Sequence, residues 1–347
     1  MRVSAAQAEE VAVALLQAAG APVRHARIQA EHLLGAQLCG HPSHGLQRLP
    51  RLLDRIERGL ARPQAQGVLT WCRPAELHVE GERGLGPVVA FGAIEALLER
   101  VEDTGIAVAA ISNANHLGML AFYVEAIARS GRIGLALSTS EALVHPFGGT
   151  RAMLGTNPIA IGIPTAEQPF VLDLATSLVS MGKIHDHALR DVPLPQGWAL
   201  DEEGAHTTQA RRAMQGAIAP FGDAKGYGLG LAFELLVASL VGSEFAPQVR
   251  GTLDAEHVAN KGDVFIVIDP RAAPQQLGRT SDYLAALRAS PAADPARPVS
   301  IPGDGARQRR LASERDGVEV NDTLWSALCD RLPQAFPSHL FRQEVRS

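Results

Sequence analysis

The first 60 residues carry apolar positions three or four apart, the period of an amphipathic helix. Ser4 and Gln7 form a capping-box pattern, in which a hydroxyl and an amide satisfy each other's unpaired backbone N–H groups. The apolar spacing then continues to Gly20, a residue that commonly ends helices. We therefore predict a helix after Ser4, a second over residues 24–39 and a third over residues 46–59.

From about residue 77 onward, short β-branched runs alternate with longer helical patterns. Strands that alternate with helices predict an α/β sheet covered on both faces. Residues 270–312 are rich in proline, alanine and arginine, so we predict loops there with one helix over residues 281–289. The predicted strands are 106–111, 133–137, 159–163, 170–174 and 264–268. The remaining predicted helices are 86–101, 117–130, 226–241 and 319–332.

Length and composition limit the classes of protein that need to be considered. A chain of 347 residues that is 46% hydrophobic is too long for the usual single compact core, and fits two packed subdomains or one large α/β unit with an accessory part. A formal net charge of −5 argues against binding to nucleic acid or to an anionic membrane. Glu9 and Glu10 precede a broken apolar run, so we predict no targeting peptide. No uninterrupted apolar stretch approaches the roughly 20 residues of a membrane helix, so we predict none. We expect a soluble cytoplasmic protein.

Several familiar site patterns are missing from the sequence. No strict G-x-G-x-x-G follows a predicted strand, which argues against a Rossmann pyrophosphate turn, and no G-x-S-x-G is present. The histidine pairs at 41/44 and 185/187 lack an H-E-x-x-H pattern or clustered carboxylates, so we predict no metal site. The three cysteines, at 39, 72 and 329, are too far apart for a disulfide framework or a thiolate zinc site.

Two short motifs bring together residues suited to proton transfer on a small anion. Ser43, His44 and Arg48 place a hydroxyl, an imidazole and a guanidinium at a helix start. A guanidinium can grip a carboxylate with two hydrogen bonds, and an imidazole can move a proton. His116 follows the predicted strand 106–111 and titrates near neutrality in its ordinary state. An N-cap serine with solvated charges, and a histidine in a turn, explain the same residues.

Lysine is rare in this chain, because only Lys183, Lys225 and Lys261 are lysines among 32 basic residues. Lys225 lies in a glycine-rich turn at a predicted helix start, which is a candidate anion site. Lys183 follows the polar segment 173–177, whereas Lys261 is predicted to lie in an ordinary turn. Further glycine-rich turns, predicted to let the backbone approach a ligand, occupy 146–150 and 155–159.

Taken in order along the chain, these motifs resemble the type-2 malate/L-lactate dehydrogenase family. The matching segments are SHGLQRLP, SNANHLGMLAFYVEAIARSGRIGLAL, HPFGGTRAMLGTNPIAIGIPT, FVLDLATSLVSMGKI, LPQGWALDEEG and KGYGLGLAFELL. The resemblance implies a non-Rossmann α/β domain of the L-sulfolactate dehydrogenase-like type, which binds NAD or NADP, over residues 76–299. It also implies a helical domain made from residues 1–75 plus 300–347, and a homodimer with the active site near the subunit interface.

The resemblance also implies roles for individual residues. His116 is the preferred proton acceptor, with His44 as the alternative, while Ser43 supports the site and Arg48 clamps the substrate carboxylate. The residues implied to line the cofactor are Ser140, Thr156, Asn157, Asp173, Leu174, Ala175, Thr176, Lys225, Gly226 and Arg307.

We therefore expect hydride transfer between nicotinamide and C2 of a small 2-hydroxy or 2-oxo acid, such as malate, lactate, sulfolactate or a ureidoglycolate-like acid. The alternative is NADPH-dependent reduction of piperideine- or pyrroline-2-carboxylate, and a third hypothesis is a catalytically idle ligand-binding relative. Departures from the family pattern leave the substrate open: Leu52 stands where many members have tyrosine, Ser140-Glu141 where some branches have lysine, and His145 where a small residue is common. Lys183, where the imine-reducing branch often has an acid, favours hydroxy acids.

Overall fold

The structure is a computed structural model that describes residues 1–271, 275–334 and 336. Its helices are α1 (Ala5–Ala18), α2 (Val23–Leu38), α3 (Leu49–Glu57), α4 (Gly86–Thr104), α5 (Ala121–Arg129), α6 (Met181–Leu189), α7 (Ala210–Ala213), α8 (Ala224–Val241), α9 (Gln276–Arg288), α10 (Asp304–Asp316) and α11 (Asp322–Asp330). Two short 3₁₀ turns, Pro42–His44 and Leu46–Arg48, connect α2 to α3. The capping box is confirmed, because the Gln7 N–H donates to the Ser4 hydroxyl and the Ser4 N–H donates to the Gln7 side chain.

The strands are β1 (Arg2–Val3), β2 (Val68–Arg73), β3 (Glu76–Glu80), β4 (Ile106–Ser112), β5 (Ile133–Ser138), β6 (Ile159–Ile163), β7 (Phe170–Leu174), β8 (Ala199–Leu200), β9 (His206–Thr207), β10 (Ala217–Ile218), β11 (Asp263–Ile268) and β12 (Val318–Glu319). The main sheet has the order β2-β3-β4-β11-β5-β6-β7. All five strands predicted from the apolar runs are present. The sheet is mixed, because β3 and β4 are parallel while the other neighbouring pairs are antiparallel.

Helices cover both faces of this sheet, as the sequence pattern predicted. Alternate residues of β11 point to opposite faces, so Phe265 packs with α4 and α5 while Val264 packs against Val237 of α8. Tyr123 is fully buried on the α5 side, where its hydroxyl donates to the Leu117 carbonyl at 2.5 Å. The buried centre of the sheet therefore supports the loops that leave β4 and β5.

A second apolar cluster joins the two ends of the described chain. It contains buried residues of α1, α2 and α3 together with Val318, Trp325 and Leu328 near the C-terminal end. The ends also meet through β1 and β12, where Val3 pairs with Val318. The division into residues 1–75 plus 300–347 and residues 76–299 stays a prediction, and residue 335 and residues 337–347 lie outside the described residues.

The sequence pattern missed the elements that lack a continuous apolar stripe. The segment 270–312 was predicted as loops with one helix, but α10 begins within it, so that prediction was wrong there. No residue of α10 is buried, and its ion pair Arg310–Glu314 stabilises an exposed helix without any apolar periodicity. Strand β2 was missed for a similar reason, because its residues are mostly exposed.

Candidate active site

His116 lies on a tightly held loop that follows β4. The Gly118 N–H donates to His116 Nδ1 at 2.8 Å, so the neutral ring carries its proton on Nε2. Buried Asn115 donates to the carbonyls of Arg83 and Gly84 and accepts from Arg55 Nε at 2.9 Å. The Gly118 contact fixes the ring of His116, and the Asn115 contacts hold the loop that carries it.

His32 of α2 supports the same loop, and sequence reasoning did not single it out. Its Nε2 accepts from the Met119 N–H at 3.0 Å, and its ring packs edge-on against Phe122. Gly118 has a φ of 76°, and a Cβ there would lie 2.3 Å from His32 Nε2, so glycine is required. Burial lowers the pKa of His32 to about 3, which keeps the ring neutral.

The structure brings the first two predicted motifs together. The rings of His44 and His116 lie 5.7 Å apart between centroids, and the Ser43 hydroxyl lies 3.1 Å from His44 Nδ1. A Cβ on Gly182 would meet Ser43 Cβ at 3.0 Å, so the start of α6 lies directly against the serine. The segment that contains Lys183 is therefore part of the same neighbourhood, although the Lys183 side chain is exposed.

A cavity of about 40 Å³ separates α2 and α3 from the loops after β4 and before β11. No acidic side chain lines it among the described residues. The titratable groups that line it are three imidazoles and three guanidinium groups, from His32, His44, His116, Arg48, Arg51 and Arg55.

Electrostatics in this cavity favour neutral imidazoles. Burial and the positive charge of Arg48 lower the pKa of His44 to about 3 and hold that of His116 well below 6.5. The expectation that His116 titrates near neutrality therefore does not hold for the unliganded protein. A bound anion would offset the charge of Arg48, so protonation of His116 becomes easier when a carboxylate binds.

Arg48 is less available than the sequence suggested. Its Nε donates to the Ser43 carbonyl and its Nη1 to the Thr252 carbonyl, both at 2.9 Å. Burial lowers its pKa to about 10, so it remains charged at neutral pH. Among the described residues Nη2 has no partner, and we expect this group to face a ligand. The two carbonyls occupy two of the five guanidinium N–H groups, which leaves both N–H groups of Nη2 and one of Nη1 to bind a carboxylate.

Lys261 was predicted to lie in an ordinary turn, and this prediction was wrong. Its side chain is 2% exposed and forms an ion pair with Asp263 at the start of β11. The Asp263 carboxylate also accepts from the Ser138 hydroxyl at 2.6 Å. The positive charge of Lys261 contributes to the low pKa of His116. Sequence alone gave no indication of this pair, because its burial depends on β4 and β5 on either side.

Several residues predicted to line a cofactor converge at a second place, beyond the end of β5. The Thr156 N–H donates to the Ser140 hydroxyl at 3.1 Å, and the Thr176 hydroxyl donates to the Thr156 carbonyl at 2.9 Å. Asn157 is fully buried and donates to Glu234 of α8 at 2.7 Å. The Asn157 Oδ1 atom is buried without a partner among the described residues.

Asp173, Leu174 and Ala175 lie at the end of β7, next to this group. The Asp173 carboxylate accepts from the Ala121 N–H at 2.7 Å. The surrounding protein raises the pKa of Asp173 to about 6, although the residue is exposed to solvent. Lys225 is exposed at the start of α8, beside buried Gly226.

Arg307 lies apart from these residues. It belongs to α10, where its guanidinium binds the Asp304 carboxylate and donates to the Pro169 carbonyl at 3.1 Å. It lines neither the histidine cavity nor the Ser140–Thr156 contact. Its predicted role in cofactor binding stays a prediction.

Glu141 connects the cavity around His44 and His116 with the predicted cofactor residues, because it directly follows Ser140 in sequence. Its carboxylate accepts from the Thr252 hydroxyl and from the N–H groups of Thr252 and Leu253, the latter at 3.0 Å. The Thr252 carbonyl in turn binds Arg48. Sequence reasoning missed Thr252 and noted Glu141 only as a departure from the family pattern. No local pattern reveals a contact between residues more than 100 positions apart.

The fold and the cavity together define an α/β enzyme whose site places neutral imidazoles beside guanidinium groups, as proton transfer on a small anion requires. The sequence profile of the malate/L-lactate dehydrogenase family matches residues 3–329. The chain belongs to this family. It is an NAD(P)-dependent oxidoreductase that acts on a CH–OH group.

Individual relatives support this assignment. The chain is 34% identical to L-sulfolactate dehydrogenase of Methanocaldococcus jannaschii over 92% of its own length and 93% of the relative's. It is 36% identical to the NADP⁺-dependent (2R)-3-sulfolactate dehydrogenase of Chromohalobacter salexigens, over 77% and 81%. The crystal structure of a dehydrogenase from Sinorhizobium meliloti superposes with a TM-score of 0.93 at 57% identity, and the match covers 95% and 98% of the two chains.

Proposed function

We propose that this enzyme interconverts a small 2-hydroxy acid and the corresponding 2-oxo acid in the cavity between His44, His116 and Arg48. The observation that carries the proposal is the convergence of two neutral imidazoles and the half-buried guanidinium of Arg48, with no acid among the described lining residues. Arg48 binds the substrate carboxylate, and His116 faces the oxygen at C2. Ser43 orients His44 through the contact between its hydroxyl and the imidazole.

The proton moves through His116 in this proposal. Its Nε2–H donates a hydrogen bond to the C2 oxygen of a 2-oxo acid, because Nδ1 is already occupied by the Gly118 N–H. Full transfer requires the imidazolium form, in which Nδ1 also carries a proton, so the ring must release the Gly118 N–H when it is protonated. The proton then leaves from Nε2 and the ring stays as the neutral Nδ1–H tautomer, which is the base for the reverse reaction. Burial and Arg48 disfavour the imidazolium. The substrate carboxylate neutralises Arg48 on binding and raises the pKa of His116 when the proton is needed.

The residues around Ser140, Thr156 and Asp173 fit a nicotinamide dinucleotide chemically. The exposed side chain of Lys225 offers a donor for phosphate. The hydroxyls of Ser140 and Thr176 and the carboxylate of Asp173 suit ribose or amide groups. The buried Asn157 Oδ1 without a described partner is consistent with a further donor arriving from a ligand. A nicotinamide held by these residues would supply the hydride to C2 or accept it. Thr176 and Gly226 complete this surface. It belongs to a non-Rossmann domain over residues 76–299, which meets a helical domain made from residues 1–75 and 300–347.

We further propose a cytoplasmic homodimer that uses the exposed face of α8. Leu235 is 48% exposed and lines a groove of about 710 Å³ together with Met153 and Phe245. Large apolar patches of this kind commonly mark protein interfaces. Among the described helices, α8 is also the one long and apolar enough to cross a membrane by length and composition. A subunit interface accounts for the same apolar face. The acid on this helix, Glu234, is buried inside the protein and does not interrupt the exposed face.

Leu235→Glu tests the interface. We expect the wild-type chain to elute at twice its chain mass in size-exclusion chromatography with light scattering, and the variant to elute as a monomer, because a carboxylate cannot be desolvated in an apolar contact without a partner. Leu311→Glu is the matched control, since Leu311 is 62% exposed on α10, away from the groove. A monomeric wild-type protein, or detergent-dependent solubility, would exclude this interface.

A substrate panel tests the proposed activity. Purified protein is mixed with NADH or NADPH and each of several 2-oxo acids, and oxidation of the cofactor is followed by absorbance. We expect turnover with at least one 2-oxo acid and no turnover without it. Reaction with piperideine- or pyrroline-2-carboxylate alone would reassign the enzyme as an imine reductase. Tight cofactor binding without any turnover would indicate a catalytically idle relative.

A further inference from the structure

We propose that Arg51 determines specificity by binding a second anionic group at the far end of the substrate, a carboxylate or a sulfonate. The site then prefers dianionic 2-oxo acids over monoanionic ones. This inference rests on the proposed function, because it assigns the acid that enters the same cavity. Arg51 lines the cavity together with Arg48 and Arg55, and of these three arginines it is the exposed one.

Arg51 differs from the neighbouring arginines in having no acceptor among the described residues. Arg55 donates to Asn115 and to the carbonyls of Asp254 and His257, and Arg58 donates to the Ala255 carbonyl at 2.8 Å. These contacts hold the loop before β11 and leave little donor capacity for a ligand. The guanidinium of Arg51 has its full donor capacity at the mouth of the cavity.

Like charges are concentrated here without matching acids. Arg48, Arg51 and Arg55 follow one another at intervals of three and four residues, so they share one face of the helical segment. Two acids act on these arginines, and both are already hydrogen-bonded: Glu141 accepts from Thr252 and Leu253, and Asp254 accepts from the N–H groups of Glu256 and His257. Arg51 accordingly lowers the pKa of both other arginines. A dianionic ligand relieves this repulsion more fully than a monoanionic ligand.

The spacing also suits a short dianion. Three residues, about 4.5 Å along a helix axis, separate Arg48 from Arg51, so one short diacid can contact both guanidinium groups. Leu52 and Leu33 form the apolar wall of the same cavity. A carboxylate on Arg48 therefore directs the second anionic group of the substrate toward Arg51 at the solvent side.

Arg51→Gln tests this assignment, with Arg27→Gln as the matched control, since Arg27 is exposed on α2 and does not line the cavity. We measure kcat/KM for oxaloacetate, 3-sulfopyruvate and pyruvate with saturating cofactor. We expect the wild type to favour both dianions, and Arg51→Gln to lower kcat/KM for them roughly 10-fold, the loss of one charge-assisted hydrogen bond. The pyruvate value should change less than about 2-fold, and the control should change none of the three.

The outcomes separate this inference from the proposed function. Turnover of pyruvate at least as fast as that of the dianions, or an equal loss for all three acids in Arg51→Gln, would overturn the role of Arg51 and leave the proposed function intact. A loss with one dianion alone would identify the second group as carboxylate or sulfonate. Absence of turnover with every 2-oxo acid would overturn both. Cofactor binding by fluorescence and the thermal midpoint should stay unchanged in both variants.

Discussion

His116→Ala is expected to lower kcat for 2-oxo acid reduction by roughly 10²–10⁴-fold, the range typical for loss of a general acid or base. The reason is geometric, since the Gly118 N–H fixes the ring so that only Nε2 is left to face a substrate oxygen. The KM of the 2-oxo acid should change little, because Arg48 remains. Steady-state kinetics with saturating cofactor measure both values.

His44→Ala is the matched control for this variant. His44 lies 5.7 Å from His116 between ring centroids and is in contact with the Ser43 hydroxyl. We expect a smaller loss of kcat from its removal, since it acts beside His116. An unchanged rate in His116→Ala together with a large loss in His44→Ala would transfer the proton role to His44.

The pH profile of the wild type gives an independent check on the same role. Burial and neighbouring positive charge hold the pKa of His116 well below 6.5, so its protonated fraction falls with rising pH throughout the neutral range. We expect kcat/KM for reduction to fall about tenfold per pH unit there, and kcat/KM for oxidation to stay level. The profile of kcat should bend at a higher pH, because bound carboxylate raises the pKa of His116.

Arg48→Ala is expected to raise the KM of the 2-oxo acid by about 10–100-fold, the loss of one or two charge-assisted hydrogen bonds, with a smaller effect on kcat. The variant also frees the carbonyls of Ser43 and Thr252, which Arg48 binds at 2.9 Å. Removing this charge raises the pKa of His116, so the pH profile of kcat/KM for reduction should move upward. Initial rates across substrate concentration and pH measure both effects.

Arg48→Lys distinguishes the charge from the shape of the side chain. Lysine keeps the positive charge but cannot hold two carbonyls in the planar arrangement of guanidinium. We expect its pH profile to resemble that of the wild type and its KM to lie between those of the wild type and Arg48→Ala. An unaltered KM in Arg48→Ala would show that the substrate carboxylate binds elsewhere, and Arg51 would be the first residue to examine.

Local sequence pattern predicted most of the regular elements that carry the site. The apolar runs located β4, β5 and β11, and the capping box located the start of α1. These features depend on neighbours within a few residues, so they are visible in the chain itself. Helix α10, which has no buried residue, and the mostly exposed strand β2 were missed because neither carries the apolar spacing that reveals a buried face.

The sequence alone also determined the chemical types at the site, because the motifs around His44 and His116 are continuous in the chain. Tertiary structure decided which of these groups can act. It brought the Thr252 carbonyl to Arg48, buried Lys261 beside Asp263, and left Arg51 without an acceptor among the described residues. Burial and hydrogen-bond occupancy depend on segments more than 100 positions apart, so the protonation state of His116 and the donor capacity of each arginine follow only from the folded chain.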